Sequence, residues 1–273
     1  MIRTLRPLAI GLAVLLLALS TSVLAQATST WDAIQERGTL RLGVASSDPW
    51  YFKDPLTNEW DGLGVRLGQA LAEDMGVELE TVETSYGNAA AALQADRIDI
   101  MFVLDATPER AEVADFLDAP LFTYSLAVLH SEDLDASTWE GLNSPDIEIG
   151  VVLGTSIDRT VTAALPNANI SRYPSNDEAV ASFQSGRSEV VAMFAPALTM
   201  LQQRVGVGVI SLPEPVEPVP TSAGFRREDD SRWRDYLNET LQEFNQSGRT
   251  QELYQSYLES RGIDPSTVPS LGN

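Results

Sequence analysis

Residues 94–110, Q-A-D-R-I-D-I-M-F-V-L-D-A-T-P-E-R, hold a short apolar run between two helix signals. The run itself, Ile98 to Leu104, has the length and composition of a strand that is buried on both faces. Thr107 is a suitable N-cap for the helix that follows, and Pro108 suits its first turn. Open α/β sheets bind ligands where a helix begins beyond the carboxyl end of a buried strand. The stretch therefore predicts an α/β fold with a ligand site at this edge of the sheet.

Arg110 closes this stretch and is a candidate ligand residue. Its planar guanidinium can hold a carboxylate through two parallel N–H···O bonds. The alternative is a surface arginine that pairs with Glu109 or Glu112. Sequence spacing alone leaves both interpretations open.

A second strand–turn–helix pattern occupies residues 147–156. The run I-E-I-G-V-V-L predicts a strand that delivers Gly154, Thr155 and Ser156 to the next helix. Gly154 allows close backbone approach, and the hydroxyl of Thr155 or Ser156 can cap a helix or donate to an anion. Many α/β turns use such residues for capping alone. The pattern therefore indicates a ligand site only if this turn faces the first turn across a cleft.

Several segments, in the right order, resemble one protein family. The sequence D-I-M-F-V-L-D-A-T-P-E-R at 99–110, followed by A-D-F-L-D-A-P-L at 114–121, is similar to the signature of periplasmic solute-binding proteins. The matching type is that of polar amino-acid ABC transporters, solute-binding protein family 3. The opening R-G-T-L-R-L-G-V at 37–44 and the ending G-R-T-Q-E-L-Y-Q-S-Y-L at 248–258 also resemble this family. The resemblance thus extends over nearly the whole mature chain.

The resemblance implies a two-lobed periplasmic-binding-protein fold of class α/β, with the second lobe inserted into the first and the ligand cleft between them. We then expect residues 26–125 to form the first part of lobe 1 and residues 126–219 to form lobe 2. Residues 220–273 supply the return segment and C-terminal helices of lobe 1. The proline-rich segment at 213–220, P-E-P-V-E-P-V-P, predicts an extended connector rather than a strand or helix.

The family also implies roles for individual residues. Its arginine at the position of Arg110 grips the α-carboxylate of an amino-acid ligand. Its loop matching residues 46–60 supplies an aromatic wall, which places Trp50 at the cleft, since amphipathic aromatics are common at binding surfaces. In the family, an aromatic residue near the position of Tyr86 borders the pocket, so Tyr86 is a candidate ligand residue. Asp48, in the same loop as Trp50, is either a ligand residue or a turn residue.

Two positions depart from the family pattern. Phe194 stands where amino-acid binders usually carry an acid that holds the ligand's ammonium group. Asp105 stands where a small or hydroxyl residue is common, and it can receive a cation or pair with Arg110. The ligand is then either an amino acid held in a different way or a carboxylate without the standard amine. Of these two options, the sequence favours lost or altered amine recognition.

The first residues predict export. Arg3 and Arg6 precede an apolar stretch at residues 8–19, and V-L-A at 23–25 offers a small-residue cleavage site. This is the pattern of a secretory signal peptide, residues 1–25, with an uncleaved membrane anchor as the alternative. We therefore expect the mature protein in the periplasm.

Composition excludes several classes of function. The chain has no cysteine and one histidine, His130, so the usual His/Cys zinc sites and a disulfide are excluded, and we expect no metal or cofactor. Its net charge of −21 repels nucleic acid and anionic membrane surfaces. A G-x-S-x-G nucleophile motif is also missing from the sequence.

The sequence as a whole predicts a non-enzymatic monomer that captures a small carboxylate-bearing solute, an amino acid or related organic acid. Its partner is then an ABC permease in the inner membrane. Closure on the ligand is expected to bend the chain near residues 126–130 and 213–221. Two alternatives stay open: a cleft enzyme of cyclohexadienyl-dehydratase type, and a ligand-sensing module for a membrane receptor.

Overall fold

The computed structural model describes residues 29–272, and the predicted signal peptide, residues 1–25, lies outside them. The helices in this part of the chain are α1 (Thr30–Arg37), α2 (Leu63–Met75), α3 (Ala89–Gln94), α4 (Pro108–Ala111), α5 (Trp139–Leu142), α6 (Ser156–Ala164), α7 (Asn176–Gln184), α8 (Ala195–Val205), α9 (Arg232–Gln246) and α10 (Arg249–Ser260). The strands are β1 (Thr39–Val44), β2 (Phe52–Lys53), β3 (Trp60–Asp61), β4 (Glu78–Glu83), β5 (Ile100–Phe102), β6 (Ala114–Phe116), β7 (Phe122–His130), β8 (Glu148–Val152), β9 (Asn169–Tyr173), β10 (Val190–Phe194), β11 (Val209–Ser211), β12 (Pro218–Thr221) and β13 (Ala223–Arg226).

The first sheet has the strand order β4-β1-β5-β13-β6. Strand β1 pairs in parallel with β4 and β5, whereas β13 pairs antiparallel with β5 and β6. Since β13 follows all strands of the second sheet in the chain, the first sheet is completed only when the chain returns. Helices α9 and α10 then continue from this return segment.

The second sheet has the order β11-β7-β10-β8-β9. Its central strand β10 is buried along its whole length, which explains why its sequence V-V-A-M-F is apolar throughout. The chain thus builds two α/β lobes, with the strands of the second sheet lying in sequence between those of the first. The lobe boundaries at residues 126 and 220 stay a prediction.

Two strands connect the lobes. Residues 122–125 of β7 pair antiparallel with β12, and residues 126–130 of β7 pair with β10 and β11 in the second sheet. The prediction that residues 213–220 contain no strand is therefore wrong for β12. Its prolines are tolerated because β12 lies at an edge, where a missing N–H leaves no partner unpaired. We accordingly expect bending in the ribbon of residues 122–125 and 218–221 rather than at 126–130.

A buried aspartate ties the first lobe together. Asp99 is 1% exposed and precedes β5. Its Oδ2 accepts hydrogen bonds from the Arg41 backbone N–H at 2.7 Å and from Arg37 Nη2 at 2.5 Å. Its Oδ1 accepts from Arg41 Nη2 at 2.7 Å. One carboxylate therefore joins α1, β1 and the start of β5.

We expect Asp99→Asn to lower the free energy of unfolding by about 3 kcal/mol, because it removes one charge of a buried ion pair. Urea denaturation measures this loss. Asp96→Asn is the matched control, since Asp96 also accepts from Arg41 Nη2 at 2.7 Å but keeps 47% of its side chain exposed. The control is expected to cost less than about 1 kcal/mol. Equal losses in the two variants would contradict the role of Asp99.

Candidate functional site

A small cavity of about 40 Å³ lies between the two lobes. In the first lobe it is lined by residues from the loops after β1 and β4 and from the turn after β5. The other lining residues come from β7, and from strand β10 and the turns and helices of the second lobe. The predicted site residues that line it are Trp50, Tyr86, Asp105, Arg110, Thr155, Ser156 and Phe194. The structure therefore brings together residues from both predicted strand–turn–helix patterns.

Arg110 is positioned by the turn that precedes α4. The Thr107 hydroxyl caps this helix by accepting from the backbone N–H of Arg110 at 3.2 Å. The Arg110 side chain is buried, and it donates to three backbone carbonyls: Asp105 O at 3.0 Å, Tyr86 O at 2.9 Å and Gly154 O at 3.2 Å. Gly154, with φ +73°, brings its carbonyl to this position from the opposite lobe.

The guanidinium of Arg110 keeps donors for a ligand. Three of its five N–H groups bond to those carbonyls, so two have no partner among residues 29–272. Burial lowers the pKa of Arg110, but a guanidinium stays charged at neutral pH. The alternative of a surface ion pair is wrong, because Glu109 pairs with Arg159 and Arg110 is 8% exposed.

Asp105 lies beside Arg110 without forming an ion pair with its side chain. Its Oδ1 accepts from the Tyr124 hydroxyl at 2.9 Å, and its Oδ2 accepts from the Ser156 hydroxyl of the other lobe. Burial raises the pKa of the Asp105 carboxyl. This increase in pKa is opposed only in part by the hydrogen bonds from Ser156 and Tyr124 and by the charge of Arg110. The structure therefore does not show the predicted alternative of direct pairing between these two side chains.

Aromatic side chains form the apolar wall of the cavity. Trp50 is 2% exposed and stacks on Phe122, with ring centroids 5.4 Å apart. The ring of Phe194 lies against that of Tyr124, with a centroid distance of 3.7 Å. The position where the family pattern has an acid is thus filled by an apolar ring.

Tyr86 contributes both a carbonyl and a hydroxyl to the site. Its carbonyl accepts from Arg110, as described above, and its hydroxyl is buried with no hydrogen-bond partner in the described residues. Burial raises the pKa of Tyr86, so the phenol stays protonated at neutral pH. A ligand acceptor would satisfy this hydroxyl.

Asp48 lies outside the cavity. Its Oδ1 accepts from the Tyr257 hydroxyl at 2.6 Å, and its Oδ2 accepts from Arg261 Nη1 at 3.3 Å. Burial is the largest cause of a raised pKa at Asp48. These partners belong to α10 and the residue after it, so Asp48 fixes the loop after β1 to the C-terminal helices.

Sequence reasoning missed several cavity residues. Ser47 and Asn176 meet across the cleft, where Asn176 Nδ2 donates to Ser47 Oγ at 3.1 Å. Asn176 directly follows Ser175, the N-cap of α7, and the segment S-N-D-E indicates a helix start without pointing to a site residue. Tyr124 lies in the apolar run of β7, whose composition gives no sign that one hydroxyl reaches the site. The remaining unpredicted lining residues are Val103, Ile157, Met193 and Ala197.

The two lobes touch directly around the cavity. The cross-lobe contacts are Ser156 to Asp105, Arg110 to Gly154, Asn176 to Ser47, and the ion pair of Arg159 with Glu109. They hold the cleft closed over the cavity.

Other chemistry is sparse in the described part of the chain. His130 lies away from the cavity, where its ring nitrogens bond to Ser131 O and Ser211 Oγ, each at 2.8 Å. Between residues 29 and 272, no cluster of His, Cys, Asp and Glu could hold a metal ion. None of the helices in that range is long and apolar enough to cross a membrane.

Residues 40–260 match the family of bacterial extracellular solute-binding proteins, family 3. The chain belongs to this family, as its motifs predicted.

Individual relatives cover most of the chain. A probable amino-acid ABC transporter periplasmic-binding protein of Sinorhizobium fredii is 24% identical over 256 residues, covering 89% of this chain and 83% of that protein. Cyclohexadienyl dehydratase of Pseudomonas aeruginosa is 27% identical over 263 residues, covering 95% and 97% of the two chains. A crystal structure of an ancestral amino acid-binding protein, a precursor of cyclohexadienyl dehydratase, matches with a TM-score of 0.75 and 30% identity. It covers 84% of this chain and 99% of that chain, and the predicted two-lobed fold is confirmed.

The cross-lobe contacts lead to a test in solution. We expect the double variant Glu109→Gln, Asn176→Ala to destabilise the closed form by about 1–2 kcal/mol, since it removes an exposed ion pair and a hydrogen bond. Small-angle scattering of the ligand-free protein should then give a larger radius of gyration. Arg234→Ala is the control, because it removes an exposed ion pair with Asp235 inside α9. An unchanged radius in the double variant would show that these contacts do not hold the lobes together.

Proposed function

We propose that this chain is an extracytoplasmic solute-binding protein that captures a small carboxylate-bearing solute, an amino acid or related organic acid, for import by an ABC transporter. The observation that carries the proposal is Arg110, a buried guanidinium with free N–H groups in a cavity between two lobes. Among the described residues no carboxylate forms an ion pair with Arg110, so a ligand carboxylate would be its direct ion-pair partner.

The relatives support the transport role. One is named as a probable amino-acid ABC transporter periplasmic-binding protein, and the matching crystal structure is that of an amino acid-binding protein. The signal-peptide pattern of residues 1–25 supports a periplasmic location. The proposed partner is therefore an inner-membrane permease, to which the closed, ligand-loaded monomer delivers its solute.

A second candidate function is a dehydratase acting in the same cleft. Cyclohexadienyl dehydratase aligns with 95% of this chain, and burial raises the pKa of Asp105 toward the range of a general acid. A protonated Asp105 could donate its proton to the hydroxyl group of a cyclohexadienol carboxylate, which leaves as water. The bond to the carboxylate breaks at the same time, its electron pair completes the aromatic ring, and carbon dioxide is released. Steady release of an aromatic product from a cyclohexadienol carboxylate, lost in Asp105→Asn, would favour this candidate over simple binding.

The binding role predicts a large effect of Arg110→Ala. A screen of amino acids and aliphatic carboxylates for a raised melting temperature identifies the compound to titrate. We expect the variant to bind that compound at least about ten-fold more weakly in calorimetry, because charge-assisted hydrogen bonds are lost. Arg234→Ala is the control, since Arg234 is half-exposed and pairs with Asp235 on the surface. Unchanged affinity in a folded Arg110→Ala protein would remove Arg110 from the site.

A further inference from the structure

We propose that the site selects α-amino acids with uncharged side chains, and that Asp105 takes the ammonium group while Arg110 takes the carboxylate. This inference rests on the proposed function and names the ligand class of the same site. It assigns amine recognition to the first lobe.

The charges in the cavity wall carry the argument. Among the lining residues, Arg110 is the only cation and Asp105 the only anion within the described chain. The two side chains do not neutralise each other, because Arg110 bonds to the backbone oxygen of Asp105 and not to its carboxylate. A ligand that carries one charge of each sign complements both.

Hydrogen-bond capacity points to the same assignment. The Asp105 carboxylate can accept about four hydrogen bonds, and two come from the hydroxyls of Tyr124 and Ser156. Those two hydroxyl protons are committed to Asp105, so they do not compete for the ligand's carboxylate. The acceptor sites that remain on Asp105 suit an ammonium group, which is a donor only.

The spacing of the charges favours an α-amino acid. Both side chains line the same small cavity, and the charge of each shifts the pKa of the other, so the two charged groups are near neighbours without forming an ion pair. A ligand whose ammonium and carboxylate are separated by a single carbon can reach both at once. An ω-amino acid places its second charge further away.

The rest of the wall opposes a second ligand charge. Trp50, Met193 and Phe194 line the cavity, and no further carboxylate does so in the described residues. A guanidinium or ammonium at the end of a ligand side chain would be buried there without a counter-charge, which is strongly unfavourable. The cavity is small, about 40 Å³, so a short side chain requires the least enlargement of the cleft.

The test is a calorimetric titration of the full mature protein with three ligand types. These are the neutral amino acids L-alanine, L-valine and L-leucine, their des-amino partners propanoate, 3-methylbutanoate and 4-methylpentanoate, and L-arginine. We expect the best neutral amino acid to bind at least about ten-fold more tightly than its des-amino partner and than L-arginine. Asp105→Asn should remove the advantage over the des-amino partner, whereas the surface control Asp235→Asn should preserve it.

Proton release gives a second readout that a structural role of Asp105 would not produce. Tyr86, Tyr124 and Arg110 face Asp105, and none of them changes its charge near neutral pH. Burial raises the pKa of the free Asp105 carboxyl, and a bound ammonium would lower it. Below the pKa of the free site, binding of an amino acid therefore releases a proton and weakens as the pH falls. Des-amino ligands should not show this release.

The outcomes separate the inference from the proposed function. If L-arginine or the des-amino acids bind more tightly than the neutral amino acids, the inference is overturned and carboxylate capture still holds. Persistence of the amino-acid preference in Asp105→Asn would also overturn it. Binding of none of these seven compounds would overturn the inference too, whereas failure of every carboxylate in the melting-temperature screen would contradict the proposed function itself.

Discussion

The site depends on the guanidinium of Arg110, which is buried among backbone carbonyls and forms no direct ion pair in the described residues. Burying an ion without an ion-pair partner costs roughly several kcal/mol, so the surrounding structure has to stabilise the arrangement. The Thr107 hydroxyl accepts from the backbone N–H of Arg110, and the carbonyls of Asp105 and Tyr86 accept from its guanidinium at 3.0 and 2.9 Å. These partners satisfy donors but carry no full charge. A ligand carboxylate would form charge-assisted hydrogen bonds with the guanidinium and stabilise its positive charge. The buried arginine therefore favours ligands that carry a carboxylate.

The same side chain couples binding to closure. Arg110 belongs to the first lobe and donates to the Gly154 carbonyl of the second. Ser156, from the same turn as Gly154, donates to Asp105. Arg110 and Asp105 therefore both form hydrogen bonds to the opposite lobe. A ligand that contacts these two residues is enclosed by the contacts between the lobes. The two-stranded ribbon of residues 122–125 and 218–221 connects the lobes and is the natural place for the bending that closure requires.

Local sequence signals predicted the parts of the structure that are determined locally. The apolar run, the cap and the proline before Arg110 lie next to one another in the chain and place this residue at the sheet edge. The family resemblance was needed to favour a ligand role for Arg110 over a surface ion pair. Asp48 could not be placed in this way, because its partners Tyr257 and Arg261 lie 209 and 213 residues further along. The proline-rich segment at 213–220 failed for a similar reason. Its strand exists through pairing with β7, and local propensity gives no information about that neighbour.

The central claim is that one ligand joins Arg110 and Asp105 through a carboxylate and an ammonium group. A crystal structure with the tightest-binding neutral amino acid tests this most directly. The account predicts carboxylate oxygens within hydrogen-bonding distance of the Arg110 guanidinium, and the ammonium group within the same distance of an Asp105 carboxylate oxygen. A ligand whose ammonium points toward Phe194 or solvent, or whose carboxylate does not touch Arg110, would contradict it.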